Sequence, residues 1–278
     1  GTIIQISSEG PIAQQEIDYI NTLCENYINT GLERKRLIAT NTLHFVEEQI
    51  QIIQDSLDKT EQNLVLFRLK NRMVDITQEG QQAYEKLKEF YSQKTEIQLK
   101  KNYYEYLKGY IESKLDPQAV ITPILVNAND QMLISQVQNL QKLYEDRESL
   151  TFTTTENNPI LVQINQKIQT SRSRILEIIE GLIYNNYLSW EQIDIEEQKI
   201  NQMLLRLPVN EQELINIQRK YEVNNQFYTF LLEKRAEAGI QKASMVSNIR
   251  ILDRSLPYTV LITGPKQTTI FFIALIIG

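Results

Sequence analysis

The chain has 278 residues, and its 35 acidic and 29 basic side chains give a net charge of −6 at neutral pH. Glycine and proline are scarce, with 9 and 7 residues, which favours helix over strand and loop. No basic surface is indicated, so nucleic acid is not expected as a partner. The single cysteine, Cys24, excludes an internal disulfide framework and a cysteine zinc cluster.

Residues 1–30 predict the C-terminal part of a small α/β domain. Thr2–Ile6 is rich in β-branched residues and predicts a short strand. Pro11 suits the first position of a helix, and apolar residues then recur at helical spacing through Ala13–Ile28. We expect this domain to begin upstream of Gly1 and a cap or bend to follow the helix.

The most regular pattern lies between Leu32 and Lys114, a stretch without proline. Its apolar residues alternate at spacings of three and four, as in a coiled-coil seam that only Thr60 and Asn71 interrupt. The seam consists of Leu43, Val46, Ile50, Ile53, Leu57, Leu64, Phe67 and Val74. Charged residues throughout exclude a membrane span. We expect one uninterrupted outgoing helix over residues 31–116, about 120 Å long.

The returning part of the predicted hairpin is interrupted by prolines. Pro117 ends the outgoing helix, and residues 117–159 predict a tip region with a short helix over residues 130–150. A returning helix is predicted over residues 160–207, where Pro208 stops it. Its seam consists of Leu161, Ile164, Ile168, Ile175, Ile178 and Leu182. Two long helices with apolar seams favour an antiparallel hairpin in which each seam buries the other.

The C-terminal part predicts a helix, an extended segment and a membrane helix. Asn210 suits the cap of a juxtamembrane helix over residues 208–248. Residues 249–265 read as a closing extended segment that could pair with Thr2–Ile6 in a sheet. Residues 266–278 contain an uncharged apolar run of about half a membrane span, predicting the start of a transmembrane helix, with a buried core segment as the alternative.

The expected fold is therefore mainly α. It is a long antiparallel α-helical hairpin (coiled coil) rooted in a small membrane-proximal α/β domain and ending in a truncated transmembrane helix.

Residues with reactive or ligand-binding chemistry are isolated from one another in the sequence. His44, the only histidine, has no convergent ligands or orienting partner and is expected on a helix surface. Cys24 is expected as a small buried hydrophobe. Trp190 is expected as a packing residue, with a groove anchor or an intersubunit contact as the alternatives. Three tyrosines that share one helix face are expected to pack: Tyr103, Tyr106 and Tyr110. No catalytic, cofactor-binding or metal-binding residue is predicted.

Two stretches carry more than a generic coiled-coil pattern, namely Ile12–Arg72 and, more specifically, Leu207–Pro257. The residues concerned in the second stretch and just after it are Leu207, Pro208, Glu211, Glu213, Leu214, Arg219, Tyr221, Tyr228, Leu231, Leu232, Lys234, Arg235, Glu237, Ala238, Pro257 and Pro265. Together these stretches resemble the periplasmic part of bacterial polysaccharide co-polymerases, in the branch fused to a cytoplasmic tyrosine autokinase. The sequence departs from that family in its sparse prolines before the membrane helix, and Tyr84–Gln202 matches only as coiled coil.

The resemblance implies a periplasmic scaffold in the bacterial inner membrane that controls the chain length and export of capsular or exopolysaccharide. It implies a ring-like homo-oligomer, contact with an outer-membrane export protein and a polysaccharide polymerase, and membrane lipid at the C-terminal end. It implies no enzyme activity and no cofactor for this fragment, with ATP and Mg²⁺ required only by a kinase domain of the parent. The alternative is a periplasmic adaptor of the membrane-fusion type in an efflux or secretion system, which also uses a long helical hairpin.

Overall fold

A computed structural model describes residues 3, 5–71, 76–113, 130–151, 158–245 and 250–259, with the side chains of Arg34 and Tyr258 left out. The helices in this part of the chain are α1 (Ala13–Lys70), α2 (Gln78–Glu112), α3 (Gln131–Thr151), α4 (Pro159–Leu204) and α5 (Val209–Ala243), followed by a 3-10 turn at Pro257–Thr259. The expected mainly-α fold of long helices is confirmed. The strand expected at Thr2–Ile6 is not formed at residues 3, 5 and 6, which are the described part of it.

The chain divides into two compact units. The first contains Gly1–Glu33 and Met245–Gly278, and the second contains Arg34–Ser244. The helix α1 therefore begins in the first unit and ends in the second. The bend expected at residues 29–31 does not occur, because α1 continues through Gly31.

The expected uninterrupted helix over residues 31–116 is wrong, because the chain reverses between α1 and α2. The helix α1 ends at Lys70, where the Asn71 side chain donates a hydrogen bond to the Phe67 carbonyl oxygen at 3.1 Å. The helix α2 then begins after Thr77 and runs back along α1, so that Asn102 donates to Gln49 at 2.6 Å. The seam of α1 is thus buried against α2, which had been expected to continue α1 as one helix.

The reversal changes the predicted hairpin into a bundle of four helices in the second unit. The helix α4 runs antiparallel to α2, as the Lys94–Asp194 and Lys108–Glu180 ion pairs demonstrate. The helix α5 follows α4 after a short turn and lies between α1 and α2, where Asn224 donates to Ser56 at 2.9 Å. The connections α1–α2 and α4–α5 therefore lie at the same end of this bundle, which we call the reversal end.

The described part of the predicted tip region, 117–159, contains the helix α3. This helix replaces the predicted short helix over residues 130–150 and packs against α4. Residues 117–129 and 152–157 of the predicted tip lie outside the described residues.

The largest core cluster of the second unit joins all five helices. Tyr103 is completely buried in it and meets Phe45 edge-on, with 6.2 Å between ring centroids. Tyr106 and Tyr110 pack against the same cluster, so the expected packing role of the three tyrosines is confirmed. In the described residues, the predicted seams are also confirmed as the inner faces of α1 and α4, with Val46 and Ile175 among the most buried side chains. Val74 of the first seam lies outside the described residues.

In the first unit, residues 250–259 are held by the N-terminal part of α1. The Asn21 side chain exchanges two hydrogen bonds with the backbone of Ser255, at 3.0 and 3.2 Å, and Arg254 pairs with Glu25 at 3.2 Å. In the described residues, a helix side chain therefore forms the backbone hydrogen bonds of this segment that a sheet partner was expected to form.

The expected membrane helix over residues 266–278 lies outside the described residues. Among the helices that the structure does describe, none has both the length and the apolar character needed to cross a membrane.

Leu107→Ala should lower the free energy of unfolding by about 2–5 kcal/mol, because Leu107 is completely buried among α1, α2 and α4 and its loss leaves a cavity. Leu69→Ala is the matched control, since 79% of the Leu69 side chain is exposed and its loss should change stability by less than about 0.5 kcal/mol. Denaturant unfolding followed by circular dichroism measures both. Equal effects of the two substitutions would contradict the assigned core.

Candidate functional site

The reversal end of the bundle is closed by the carboxylate of Glu211, which lies in the first turn of α5 and is 2% exposed. Both the backbone N–H and the hydroxyl of Thr77 donate to Glu211 Oε1, each at 2.7 Å. The same Thr77 side chain caps α2 by accepting from the Gly80 N–H at 3.1 Å. One buried carboxylate therefore fixes the start of α2 against the start of α5, where helix dipoles favour negative charge.

Gly80 is required by this arrangement because Glu211 occupies the space of a side chain. A Cβ at position 80 would overlap Glu211 Oε1 and would also touch Ile76 at 3.0 Å. Glu211 cannot yield easily, since Thr77 holds it by two hydrogen bonds. We call Thr77, Gly80 and Glu211 the helix lock.

Further along the bundle, four charged side chains form a network between α2, α4 and α5. Lys94 Nζ lies 2.6 Å from both Asp194 Oδ1 and Glu197 Oε2. Arg219 Nη1 lies 2.8 Å from Glu197 Oε1, so the Glu197 carboxylate is shared by two cations. We call Lys94, Asp194, Glu197 and Arg219 the ion-pair network.

Aromatic rings shield the ion-pair network. The Lys94 ammonium lies 5.1 Å from the centre of the Trp190 ring, and the Arg219 guanidinium lies 6.0 Å from that of Tyr91. Both distances fall within the range of cation–π attraction. Trp190 thus packs against Lys94 of the same chain, in agreement with its expected role as a packing residue.

The network favours the charged forms of Lys94, Asp194 and Glu197. Burial opposes ionisation of Glu197, but hydrogen bonds from Lys94 and Arg219 outweigh it and hold the pKa of this carboxyl below its ordinary value of 4.5. Hydrogen bonds from Lys94 and Gln198 lower the pKa of Asp194. Burial alone would lower the pKa of Lys94, and the two carboxylates reverse this and raise it. The arrangement is a set of paired structural charges rather than a poised acid or base.

A cleft of about 630 Å³ opens at the reversal end between the last turns of α1 and the first turns of α5. Its lining residues are Asn63, Leu66, Phe67, Lys70, Asn71, Val209, Gln212, Glu213, Asn216 and Ile217. Carboxamide side chains make up four of these, and the two charged residues have opposite signs. This concave, mixed polar and apolar surface has the size of a small-ligand site.

The residues named from the second sequence stretch take several structural roles. Glu211 belongs to the helix lock, Arg219 to the ion-pair network, and Glu213 to the cleft. The core clusters contain Leu207, Leu214, Tyr221, Tyr228, Leu231 and Leu232. Ala238 is buried, Pro208 precedes the first turn of α5, and Lys234 pairs with Glu237 at 2.9 Å. Arg235 is exposed, Pro257 opens the 3-10 turn, and Pro265 lies outside the described residues.

The isolated candidates of the sequence analysis are not brought together. His44 is exposed and lies 3.4 Å from Glu48 on its own helix. Cys24 is a half-buried free thiol. In the described part of the chain, no three His, Cys, Asp or Glu side chains converge as a metal site would require.

Sequence reasoning missed the partners of the motif residues, namely Thr77, Gly80, Lys94, Asp194 and Glu197. Gly80 carried the one usable signal, because it is one of two glycines between Leu32 and Lys114. Lys94 and its acidic partners looked like ordinary solvated charges, since residues about 100 positions apart reveal no pairing along the sequence.

Known proteins that are similar to this chain align with almost its whole length. Residues 210–278 match a family described as a G-rich domain on putative tyrosine kinase. The chain is 22% identical to the tyrosine-protein kinase etk of Escherichia coli, over 90% of this chain and 25% of that protein. It is 22% identical to the tyrosine-protein kinase wzc of Salmonella typhi, over 99% of this chain and 29% of that protein.

A third relative is a putative tyrosine-protein kinase in the cps region of Klebsiella pneumoniae, 20% identical over 99% of this chain and 28% of that protein. The chain thus spans between 25% and 29% of the length of these relatives. No solved structure matches the chain. The resemblance to kinase-fused proteins that the sequence indicates is confirmed.

Gly80→Ala should lower the free energy of unfolding by about 1–3 kcal/mol, although alanine favours helix, because the new methyl group displaces Glu211 from Thr77. Gly109→Ala on the same helix is the control, since nothing lies within 4 Å of a Cβ there. It should raise stability by about 0.5–1 kcal/mol. Chemical denaturation measures both, and a stabilising Gly80→Ala would refute the helix lock.

Glu197→Gln should flatten the acid dependence of stability. Carboxyl groups whose pKa is lowered by folding stabilise the protein fully above their unfolded pKa, here 4.5 for Glu197, and lose this contribution as the pH falls through the lower folded value. The wild-type free energy of unfolding should therefore fall more steeply between about pH 5 and pH 3 than that of Glu197→Gln. At neutral pH the variant should lose roughly 3 kcal/mol, because Lys94 and Arg219 keep buried charges without their shared partner.

Glu196→Gln provides the control for this experiment. Glu196 is exposed and, among the described residues, pairs only with Lys199 on its own helix, so its loss should cost less than about 1 kcal/mol. Denaturation curves at several pH values measure all three proteins. Parallel pH profiles for wild type and Glu197→Gln would contradict a structural role of the network.

Proposed function

We propose that this chain, which belongs with the bacterial tyrosine-protein kinases that carry the G-rich domain, is the periplasmic scaffold of an inner-membrane polysaccharide co-polymerase. The observation that carries the proposal is the match of residues 210–278 to that domain, within relatives that align along up to 99% of the chain. The scaffold controls the chain length and the export of a capsular or exopolysaccharide.

The motif residues of α5 support a scaffold role through the contacts they make. Glu211 and Arg219 join α5 to α2 and α4 by buried hydrogen bonds, which hold three long helices in one register. Buried polar contacts of this kind select one arrangement among several that apolar packing allows. A scaffold that must present fixed surfaces to other proteins needs this uniqueness.

Self-association is supported by an exposed apolar stripe on α4. Its members recur at helical spacing on the side of α4 that faces away from the bundle: Tyr184, Tyr187, Leu188 and Ile195. Aligned exposed apolar side chains mark surfaces that meet another protein. We assign this stripe to contacts between copies of the chain in a ring-like homo-oligomer.

The other partners follow from the same proposal. They are an outer-membrane polysaccharide export protein, the polysaccharide polymerase, and membrane lipid at the C-terminal end. The chain acts as a non-enzymatic part of a longer parent, in which a kinase domain uses ATP and Mg²⁺.

The periplasmic adaptor of an efflux or secretion system is the competing function. Such adaptors place strand-rich halves on both sides of their helical hairpin. The described flanks of the bundle, residues 5–33 and 250–259, contain helix and a 3-10 turn and no strand. The helical character of these described flanks, together with the match of residues 210–278 to the G-rich domain, favours the co-polymerase.

Deletion of the parent gene should shift the surface polysaccharide to a different size distribution with loss of long polymer. The wild-type parent and Ile240→Glu should restore it, because Ile240 is exposed on α5 away from the stripe. Tyr187→Glu combined with Leu188→Glu should not, because charges in the stripe prevent association. Gel electrophoresis of the polysaccharide and sedimentation of the purified parents measure the two effects.

A deletion strain with unchanged polymer would refute the co-polymerase proposal. Full complementation by the double variant, with sedimentation equal to that of wild type, would refute the assignment of the stripe.

A further inference from the structure

The cleft at the reversal end presents hydrogen-bonding groups that the described residues leave unused. Asn63 and Asn216 make no side-chain hydrogen bond to another described residue. Asn71 and Gln212 donate their amide N–H groups to the Phe67 and Leu207 carbonyl oxygens, at 3.1 and 2.8 Å. Their own amide oxygens therefore remain available as acceptors.

The charges of the cleft are balanced. Lys70 on α1 and Glu213 on α5 line it and are both exposed. Neither forms an ion pair with another described residue. A lining with one positive and one negative charge does not select a polyanion or a polycation, and it suits a ligand with little net charge.

Four apolar residues also line the cleft, namely Leu66, Phe67, Val209 and Ile217. Phe67 is buried in a core cluster with Leu64 and Leu214, whereas Leu66 and Val209 are exposed. The cleft thus combines apolar contacts with donors and acceptors, as sites for polar organic molecules do.

We propose that this cleft binds a short, hydroxyl-rich and largely neutral segment of a glycan. Each sugar hydroxyl both donates and accepts hydrogen bonds, as does each carboxamide, so four carboxamides can satisfy several hydroxyls at once. The C–H faces of the sugar ring pack on the apolar lining residues, such as Leu66 and Val209. The large exposed aromatic and arginine anchors of typical protein interfaces are not among the lining residues, which favours a glycan over a protein segment.

This inference rests on the proposed function, which identifies the bound glycan as the polysaccharide whose length the chain governs. If the chain governs the length of a polysaccharide, a glycan site at the reversal end lets the bundle hold the growing polymer directly. The helix lock lies beside the cleft, because Glu211 and Glu213 share the first turns of α5. Glycan contacts at Glu213 and Asn216 are thereby made on a helix whose start is fixed.

The test is calorimetric titration of the full 278-residue chain in detergent. The probe is a mixture of oligosaccharides released by partial hydrolysis of the surface polysaccharide from the bacterium that carries this gene. The variant combines Asn63→Ala with Asn216→Ala. Asn225→Ala is the matched control, because Asn225 is exposed on the same helix but does not line the cleft. Thermal unfolding of each protein reports whether the fold is retained.

We expect saturable binding to wild type and Asn225→Ala, and binding weaker by at least about tenfold in the double variant at unchanged thermal stability. The same oligosaccharides after periodate oxidation, which cleaves vicinal diols, should no longer bind. Absence of saturable binding to wild type, equal binding by the double variant, or equal binding of the oxidised sugar would each overturn the inference.

Two further outcomes separate this inference from the proposed function. Loss of binding through Leu66→Ser, with no effect of the carboxamide variant, would place the contact on the exposed apolar lining alone and overturn the inference. Saturable, carboxamide-dependent binding in a protein whose gene deletion leaves the polymer unchanged would support the site and refute the co-polymerase proposal.

Discussion

The bundle depends on one buried carboxylate at the place where the chain reverses. Glu211 accepts two hydrogen bonds from Thr77 and so joins the first turn of α5 to the first turn of α2. Thr77 and Glu211 are 134 residues apart in the sequence, and so are Lys88 and Glu222, which also pair. The two helices therefore run parallel from this point with a nearly constant offset. A shift of either helix would separate the carboxylate from Thr77 and misalign every later pair between them.

The ion-pair network extends this register to a third helix. Lys94 reaches two carboxylates of α4, and Arg219 of α5 shares one of them, so no two of the helices can slide without leaving a buried charge unpaired. Such a network adds little net stability over apolar residues of similar size, because removing the charges from water is costly. Its contribution is to make one arrangement far better than its neighbours. That property connects the motif residues of α5 to a scaffold rather than to a reaction.

The cleft lies between the last turns of α1 and the first turns of α5, which also pack on each other through Leu64, Phe67 and Leu214. The carboxamides of both helices face this cleft, and the described residues satisfy only part of their hydrogen-bonding capacity. The Leu207–Pro257 stretch therefore has two structural roles. Its buried members, such as Arg219, hold the bundle, and its exposed members, such as Glu213, line a surface that a ligand can reach.

The sequence by itself determined that the chain is built of long helices and which face of each is buried. The seam of α1, from Val46 to Phe67, and the seam of α4 lie in the core as their spacing predicted. The tertiary structure alone decided that the chain turns back after Lys70, and which helices share the core. Apolar periodicity reports that a helix face is buried but not what covers it, so one seam is compatible with a continuing rod or a reversed bundle. The partners of Glu211 and Arg219 lie far away in the sequence, and only folding reveals such pairs.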